Sequence, residues 1–503
     1  MLFNSFSFIL LFLPITLLVW FSLNHIKKYR LADIFIIAMS LFFYSRFGMN
    51  VMLIMCGSIL VNHIISMLMK RFSSNTWLKV LKILGVVVNL GFLFYFKYYD
   101  FFVGSVVSAL GMSYQSAQIV MPIGISFYTF QQMSYMIDRG RGEAEHYSLI
   151  DYALYVTYFP KLIEGPISFH KEILSQFKSE EKRQFNLDNF QKGIIYFVLG
   201  LSKKVLLADT LSLVVTYGFK QTFFLDTLTV IAVMLAYTFQ IYFDFSGYCD
   251  MASGIALMMN IELPVNFNSP YKAATVKELW QRWHMTLSRF FIKYVYIPLG
   301  GSRKGKLRTV CNVLIVFILS GLWHGAGWTY ICWGLMQGLL VVWDDIGIVE
   351  VKGSHKGKYL FREKPLITVP RFVGRFFTFT FFVISLFFFG AQDMNYAIGM
   401  FKRLFYFTYP GFLTRTAGQL DIAENYVLSQ VITRTAPKFE NALYIGTLLI
   451  LLAICFLVNS RKNTAEIASD KEPDMKRTIG LVLLFIWSFI SLSQVSTFIY
   501  FQF

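Results

Sequence analysis

The sequence predicts an all-α polytopic membrane protein, with roughly ten to twelve transmembrane helices plus re-entrant and amphipathic ones. Three observations carry this. The 503 residues are 56% hydrophobic and 18% aromatic but only 15% charged, where soluble chains carry roughly a quarter charged residues. Long uncharged runs recur throughout: Met1–Ile26, Phe47–Met69, Phe101–Ile137, Thr227–Phe243, Thr309–Trp343, Phe376–Gln392, Asn441–Ser460 and Thr478–Phe503. The runs are continuous rather than alternating, which favours helices over a barrel, since a helix satisfies its own backbone in lipid.

Taken in order, a first span over about 3–23 is followed by Lys27, Lys28 and Arg30. Basic loops stay cytoplasmic, so the N-terminus is expected outside. Further spans end near Ser45 and Met69. The fourth ends at Phe96-Lys97-Tyr98-Tyr99-Asp100, an interfacial pattern of aromatics and charges. The run Phe101–Ile137 exceeds one span and is expected to break at Gly111 and Pro122-Ile123-Gly124, with its second half lining a cavity. Residues 139–192 look the most soluble and predict amphipathic or re-entrant helices on the cytoplasmic face, kinked over Phe159–Pro166. Spans follow at about 190–207 and 227–243, with a loop over Leu263–Glu278. A span at 372–390 precedes a mixed, external segment, and the last two spans are 441–460 and 478–500. Arg461, Lys462, Lys476 and Arg477 between them place the C-terminus outside. No internal repeat is evident, and the chain reads as one domain over 1–503, with a core at about 120–345 and C-terminal spans over 372–503.

The net charge of +17 arises from 46 Lys and Arg against 29 Asp and Glu. The basic residues cluster between apolar runs, so they orient the protein rather than bind nucleic acid. Cys56, Cys249, Cys311, Cys332 and Cys455 are isolated and read as small hydrophobes. No metal site or bound cofactor is expected. The N-terminus lacks the basic segment and cleavage site of a signal peptide.

Two histidines carry chemistry. His324, in Ser320-Gly321-Leu322-Trp323-His324-Gly325-Ala326-Gly327-Trp328, lies in the uncharged stretch Thr309–Trp343. Ionisable groups at membrane depth are costly and mark functional paths. A neutral imidazole there suits a general base. His284 follows Arg282 and Trp283 among further basic residues, as either a functional or an interfacial histidine. Gly300-Gly301-Ser302-Arg303-Lys304-Gly305-Lys306-Leu307 nearly spells a phosphate loop, but Leu307 stands where magnesium binding needs Ser or Thr. Nucleotide hydrolysis is therefore rejected. The basic turn remains open to the phosphates of a thioester donor or to a purely topogenic role. Asp244 is expected to orient a catalytic group or to pair with an arginine.

The segments Tyr242–Tyr248, Arg282–Ser288, Tyr296–Gly301 and Gly321–Gly325 resemble the membrane-bound O-acyltransferase family, as do Pro122–Tyr128, Phe159-Pro160 and Gly165-Pro166. The resemblance is to the bacterial branch that acetylates alginate, peptidoglycan and related polysaccharides. It implies a central tunnel, with His324 as the catalytic histidine and His284 as the second, near the cytoplasmic mouth. Trp283, Arg282, Trp323, Asp244 and Ser320 become tunnel or donor-binding candidates. The implied donor is acetyl-coenzyme A or an acyl-carrier thioester, the final acceptor a polysaccharide, and the location the cytoplasmic membrane. The ending Phe498-x-Tyr500-x-x-Phe503 resembles the accessory peptide of teichoic-acid D-alanylation. By that similarity Tyr500 is a candidate acyl relay to an extracytoplasmic acetyltransferase of the SGNH serine-hydrolase type. The alternative is a transporter or channel with proton-coupling histidines.

Overall fold

The structure, a computed structural model, describes residues 1–72, 74–354, 359–420, 422–470, 474–494, 498 and 499. Among them the protein is helical apart from one short parallel strand pair, Val349–Val351 with Ile367–Val369. Among the described residues, seven helical stretches are long and apolar enough to cross a bilayer: Phe8–His25, Met49–Arg71, Asn75–Ala109, Thr227–Met258, Lys306–His324, Arg371–Gly390 and Pro437–Ser460. Tyr29–Ser45, Ile125–Gly140, Trp328–Ile346 and Met475–Ile490 are shorter or more polar, and they complete the bundle.

Thr227–Met258 is the central helix. Residues on all its faces are buried, from Val230 to Met258. Leu187–Ser202 crosses it at two glycine pairs. A Cβ on Gly200 would fall 2.6 Å from the Gly247 carbonyl oxygen, and one on Gly193 would fall 2.6 Å from that of Gly254. With hydrocarbon on the outside, close backbone approach by small residues is what draws helices together.

Two expectations are corrected and a third is narrowed. The fourth span does not end at Phe96–Asp100. It passes through a π-turn at Phe94–Tyr98 and continues as Tyr99–Ala109. A π-turn widens the helix by one residue, which redirects the side chains at that level. Within the soluble-looking segment, residues 154–168 are buried, as a re-entrant stretch is and a surface-lying amphipathic helix is not, and most of their polar groups find partners inside the protein. Lys161, for instance, donates to Gln131 and lies 4.4 Å from the centre of the Tyr155 ring. The final uncharged run is not one straight span. Its helix gives way to a short 3-10 turn at Ser491–Gln494, and Phe498 and Ile499 are buried in the core. The break in the run after Phe101 is where the sequence places it. The helix stops at Ala109, and the next starts at Ile125 after Gly124 at φ +74°.

Candidate functional site

Lys306–His324 ends at His324 itself, and Trp328 opens the returning helix. The hairpin is tight for a steric reason. A Cβ on Gly321 would lie 2.2 Å from the Tyr330 carbonyl oxygen, and one on Gly325 would lie 2.1 Å from the Tyr330 ring. The glycines flanking His324 thus serve the close packing of its own hairpin. The His324 ring is buried among Trp323, Trp333 and Phe389, with centroids at 4.9, 5.2 and 5.2 Å in edge-to-face arrangement.

A helix end leaves its last four carbonyls without partners in the helix. Here each is satisfied. Gly325 N–H donates to Gly321 at 3.3 Å, and Tyr98 Oη donates to Leu322 at 3.0 Å. Lys97 Nζ donates to Trp323 at 2.7 Å and His324 at 3.2 Å, and to Ser126 Oγ at 3.3 Å. A cation at the negative end of a helix is favourable as well. Lys97 and Tyr98 sit on the π-turn, so that irregularity is what holds the backbone of His324.

His284 is 0% exposed and caps the helix Met285–Phe291 from a left-handed conformation, φ +45°. Such a backbone is uncommon outside glycine and costs on the order of 1 kcal/mol or more. Its Nδ1 lies 3.2 Å from Asn266 Oδ1, which also accepts from Thr286 N–H and Oγ1 at 3.2 and 2.9 Å. The amide oxygen only accepts, so Nδ1 must carry the proton, and the lone pair falls on Nε2. Nε2 has no hydrogen-bond partner among the described residues. The His284 and His324 rings are 6.3 Å apart. His284 is therefore buried rather than interfacial. The left-handed turn folds it under the surface and against the second histidine, while Arg282 stays outside, bound to Glu278 Oε1 at 2.9 Å.

The other sequence candidates divide. Trp323 and Ser320 are buried beside His324. Trp283 packs between Tyr271 and Phe382, at 6.0 and 5.3 Å, as a core residue. Asp244 is paired. Lys204 Nζ lies 2.7 Å from Asp244 and 2.7 Å from Asp209, all three buried. Asp244 Oδ2 also accepts from the Ile499 backbone N–H at 2.8 Å. Lys204 lies 4.3 Å from the centre of the Phe498 ring. Tyr500 is outside the described residues. Lys97, Asn266 and Glu164 carry no sequence signal of comparable strength; a charge or amide inside an otherwise aromatic or loop-like stretch is the only hint.

One cavity is lined by His324, and a second reaches the Asn266 partner of His284. The second, of about 320 Å³, is also lined by Lys192, Lys203, Asp250, Asn463 and Thr464. The first, of about 30 Å³, is lined by Lys97, Ser126, Glu164, Trp323 and His324. A third, of about 650 Å³, is lined by residues of Leu199–Leu213, the central helix and the last two long helices, and neither histidine lines it.

The sequence matches the family described as MBOAT, membrane-bound O-acyltransferase, over residues 21–347. A peptidoglycan O-acetyltransferase of Helicobacter pylori is 33% identical over 534 aligned positions, covering 100% of this chain and 98% of that protein. A probable alginate O-acetylase of Pseudomonas aeruginosa is 36% identical over 421 positions, covering 81% of this chain and 75% of that protein. A teichoic acid D-alanyltransferase of Streptococcus thermophilus is 29% identical over 282 positions, covering 54% and 68% respectively.

Proposed function

Because the chain belongs to the membrane-bound O-acyltransferase family, we propose that it takes acetyl from a cytosolic thioester and delivers it to a hydroxyl across the bilayer, with His324 as general base. Family membership favours the enzyme over the transporter alternative. O-acetylation of an envelope or secreted polysaccharide is the matching process, since relatives are named for peptidoglycan and alginate.

The observation that carries the reading is the contact of two buried histidines, of which His324 lines a small cavity and His284 is bonded to Asn266, which lines a larger one. The donor, acetyl-coenzyme A or an acyl carrier, approaches through the cavity where Lys192 offers an ammonium group suited to phosphate, Lys203 there being paired with Asp250 at 2.6 Å. That cavity borders Asn463 and Thr464, in the loop that basic residues assign to the cytoplasm. In the transfer, His324 removes the hydroxyl proton as oxygen attacks the thioester carbonyl. The C–O bond forms, the C–S bond breaks, and the proton passes to the departing sulfur. His284, with its lone pair on Nε2, assists by accepting a hydrogen bond or a proton from the reacting group.

Tyr500 fits a relay of the acyl group to an extracytoplasmic SGNH-type acetyltransferase. The docking of Phe498 and Ile499 at Lys204 and Asp244 supports this, because it holds the residues just before Tyr500 in the core rather than in an aromatic belt.

The test is ester-linked acetate released from envelope polysaccharide by mild alkali, measured at equal membrane abundance. His324→Ala is expected to lose roughly 100-fold to 10,000-fold of the activity, the range for a general base. Normal acetylation in that variant overturns the assignment. Tyr500→Phe is expected to abolish polysaccharide acetylation while binding of labelled acetyl-coenzyme A persists; retained acetylation removes the relay.

A further inference from the structure

Buried charges in this protein come with partners. Lys204 has two carboxylates, Arg183 has Asp33 and Asn24, and Asp138 has His170, Lys293 and Tyr294. Glu164 differs. It is 2% exposed, and neither carboxylate oxygen has a hydrogen-bond partner among the described residues. Leaving a carboxyl group so placed is costly unless it is neutralised or used.

Its position is built by backbone rather than by its own hydrogen bonds. A Cβ on Gly165 would fall 2.2 Å from Lys161 Cα, so the turn after the helix Phe159–Leu162 closes only with glycine there. On the other side, a Cβ on Gly124 would fall 3.0 Å from Ile163 Cα. The Glu164 carbonyl accepts from Cys249 Sγ at 3.7 Å. Held in this way, Glu164 lines the small cavity with Lys97, Ser126 and His324. Burial pushes its carboxyl well above the usual range, the Asp244 carboxylate adds to this, and Lys204 opposes it. A protonated carboxyl both donates and accepts, as a hydroxyl does.

We propose that Glu164 is a substrate-binding residue of the transfer reaction: in the cavity beside His324 it hydrogen-bonds the hydroxyl that receives the acyl group. This rests on the reading of the histidine pair as an acyl-transfer site. Glu164 gains and loses nothing overall. The hydroxyl proton goes to His324 and then to the thiol, while Glu164 fixes the direction in which the oxygen lone pair points. Small departures from that alignment are costly in rate.

The experiment uses the full-length protein carrying Glu164→Met and Glu164→Gln. Glutamine keeps a donor and an acceptor, and methionine keeps volume without polarity. Three quantities are read: alkali-released acetate from envelope polysaccharide, binding of labelled acetyl-coenzyme A in nanodiscs, and the thermal unfolding midpoint. Glu164→Met is expected to lower acetylation about 10-fold to 100-fold, the loss of one strong hydrogen bond to a reacting group. Its donor binding stays within twofold, and its midpoint is unchanged or higher, because an unpartnered polar group has left the core. Glu164→Gln is expected to retain most acetylation. Acetylation within twofold of the unsubstituted protein in Glu164→Met overturns the proposal. So does a midpoint that falls together with acetylation in both variants, which marks a structural role. His324→Ala in parallel separates the two ideas. If it acetylates normally, the reading of the site fails; if it is inactive while Glu164→Met is normal, only the role of Glu164 fails.

Discussion

The helices Thr227–Met258 and Glu440–Ser460 both read as apolar spans, yet they live in different solvents. In the first, 78% of the most apolar window is buried within the protein; in the stretch Pro437–Ser460 the figure is 22%. The buried helix is the more polar of the two. It carries Gln240, Asp244, Ser246 and Asp250, whereas Ala442–Val458 has no charged residue. Lipid tolerates no unpaired polar group, so the outer helix must be apolar all round. A protein interior supplies partners, and there a charge such as Asp244 is held by Lys204 and by the Ile499 backbone. Polarity at membrane depth thus marks the inside of the bundle.

The largest effect that tests this contrast is on the inner helix. Lys204→Met strands two buried carboxylates and is expected to cost about 3–5 kcal/mol, seen as a fall in thermal midpoint and membrane abundance. Combining it with Asp244→Asn and Asp209→Asn should restore most of the loss; no restoration means that Lys204 does more than neutralise them. Next comes the outer helix. Ile450 is 64% exposed, and Ile450→Asp should cost roughly 2.5–3.5 kcal/mol of insertion, read as a reduced membrane-integrated fraction. Unchanged integration places that face against something other than lipid. The smallest effect concerns the crossing that centres the inner helix. Gly200→Val meets the Gly247 carbonyl and should cost about 1–3 kcal/mol, whereas the same change at Gly446, with no neighbour within 4 Å of its Cβ position, should be nearly silent.

The catalytic candidate His324 was legible because a lone ionisable ring in a long uncharged stretch is a local signal. Lys97 was not. Its aromatic neighbours suggest a membrane interface, and its true partners are the carbonyls of Trp323 and His324, 226 and 227 positions away. Glu164 was hidden for a similar reason, inside a segment whose charges suggest water. The burial of His284 was not legible, since its neighbours Arg282 and Arg289 are basic. The left-handed turn at His284 separates it from them, and no pattern of residue types announces that turn.

By itself the sequence determined the solvent and the chemistry: which stretches belong in lipid, that they are helical, and that histidine is the ionisable group the deepest stretch carries. Those properties depend on sums over consecutive residues, and hydropathy is such a sum. The tertiary structure alone decided which helix is central, that the two histidines meet at 6.3 Å, and that Lys97 and Glu164 share a cavity with His324. These depend on distances between residues far apart in the chain. Burial and charge pairing act through space, so they exist only once the helices have packed.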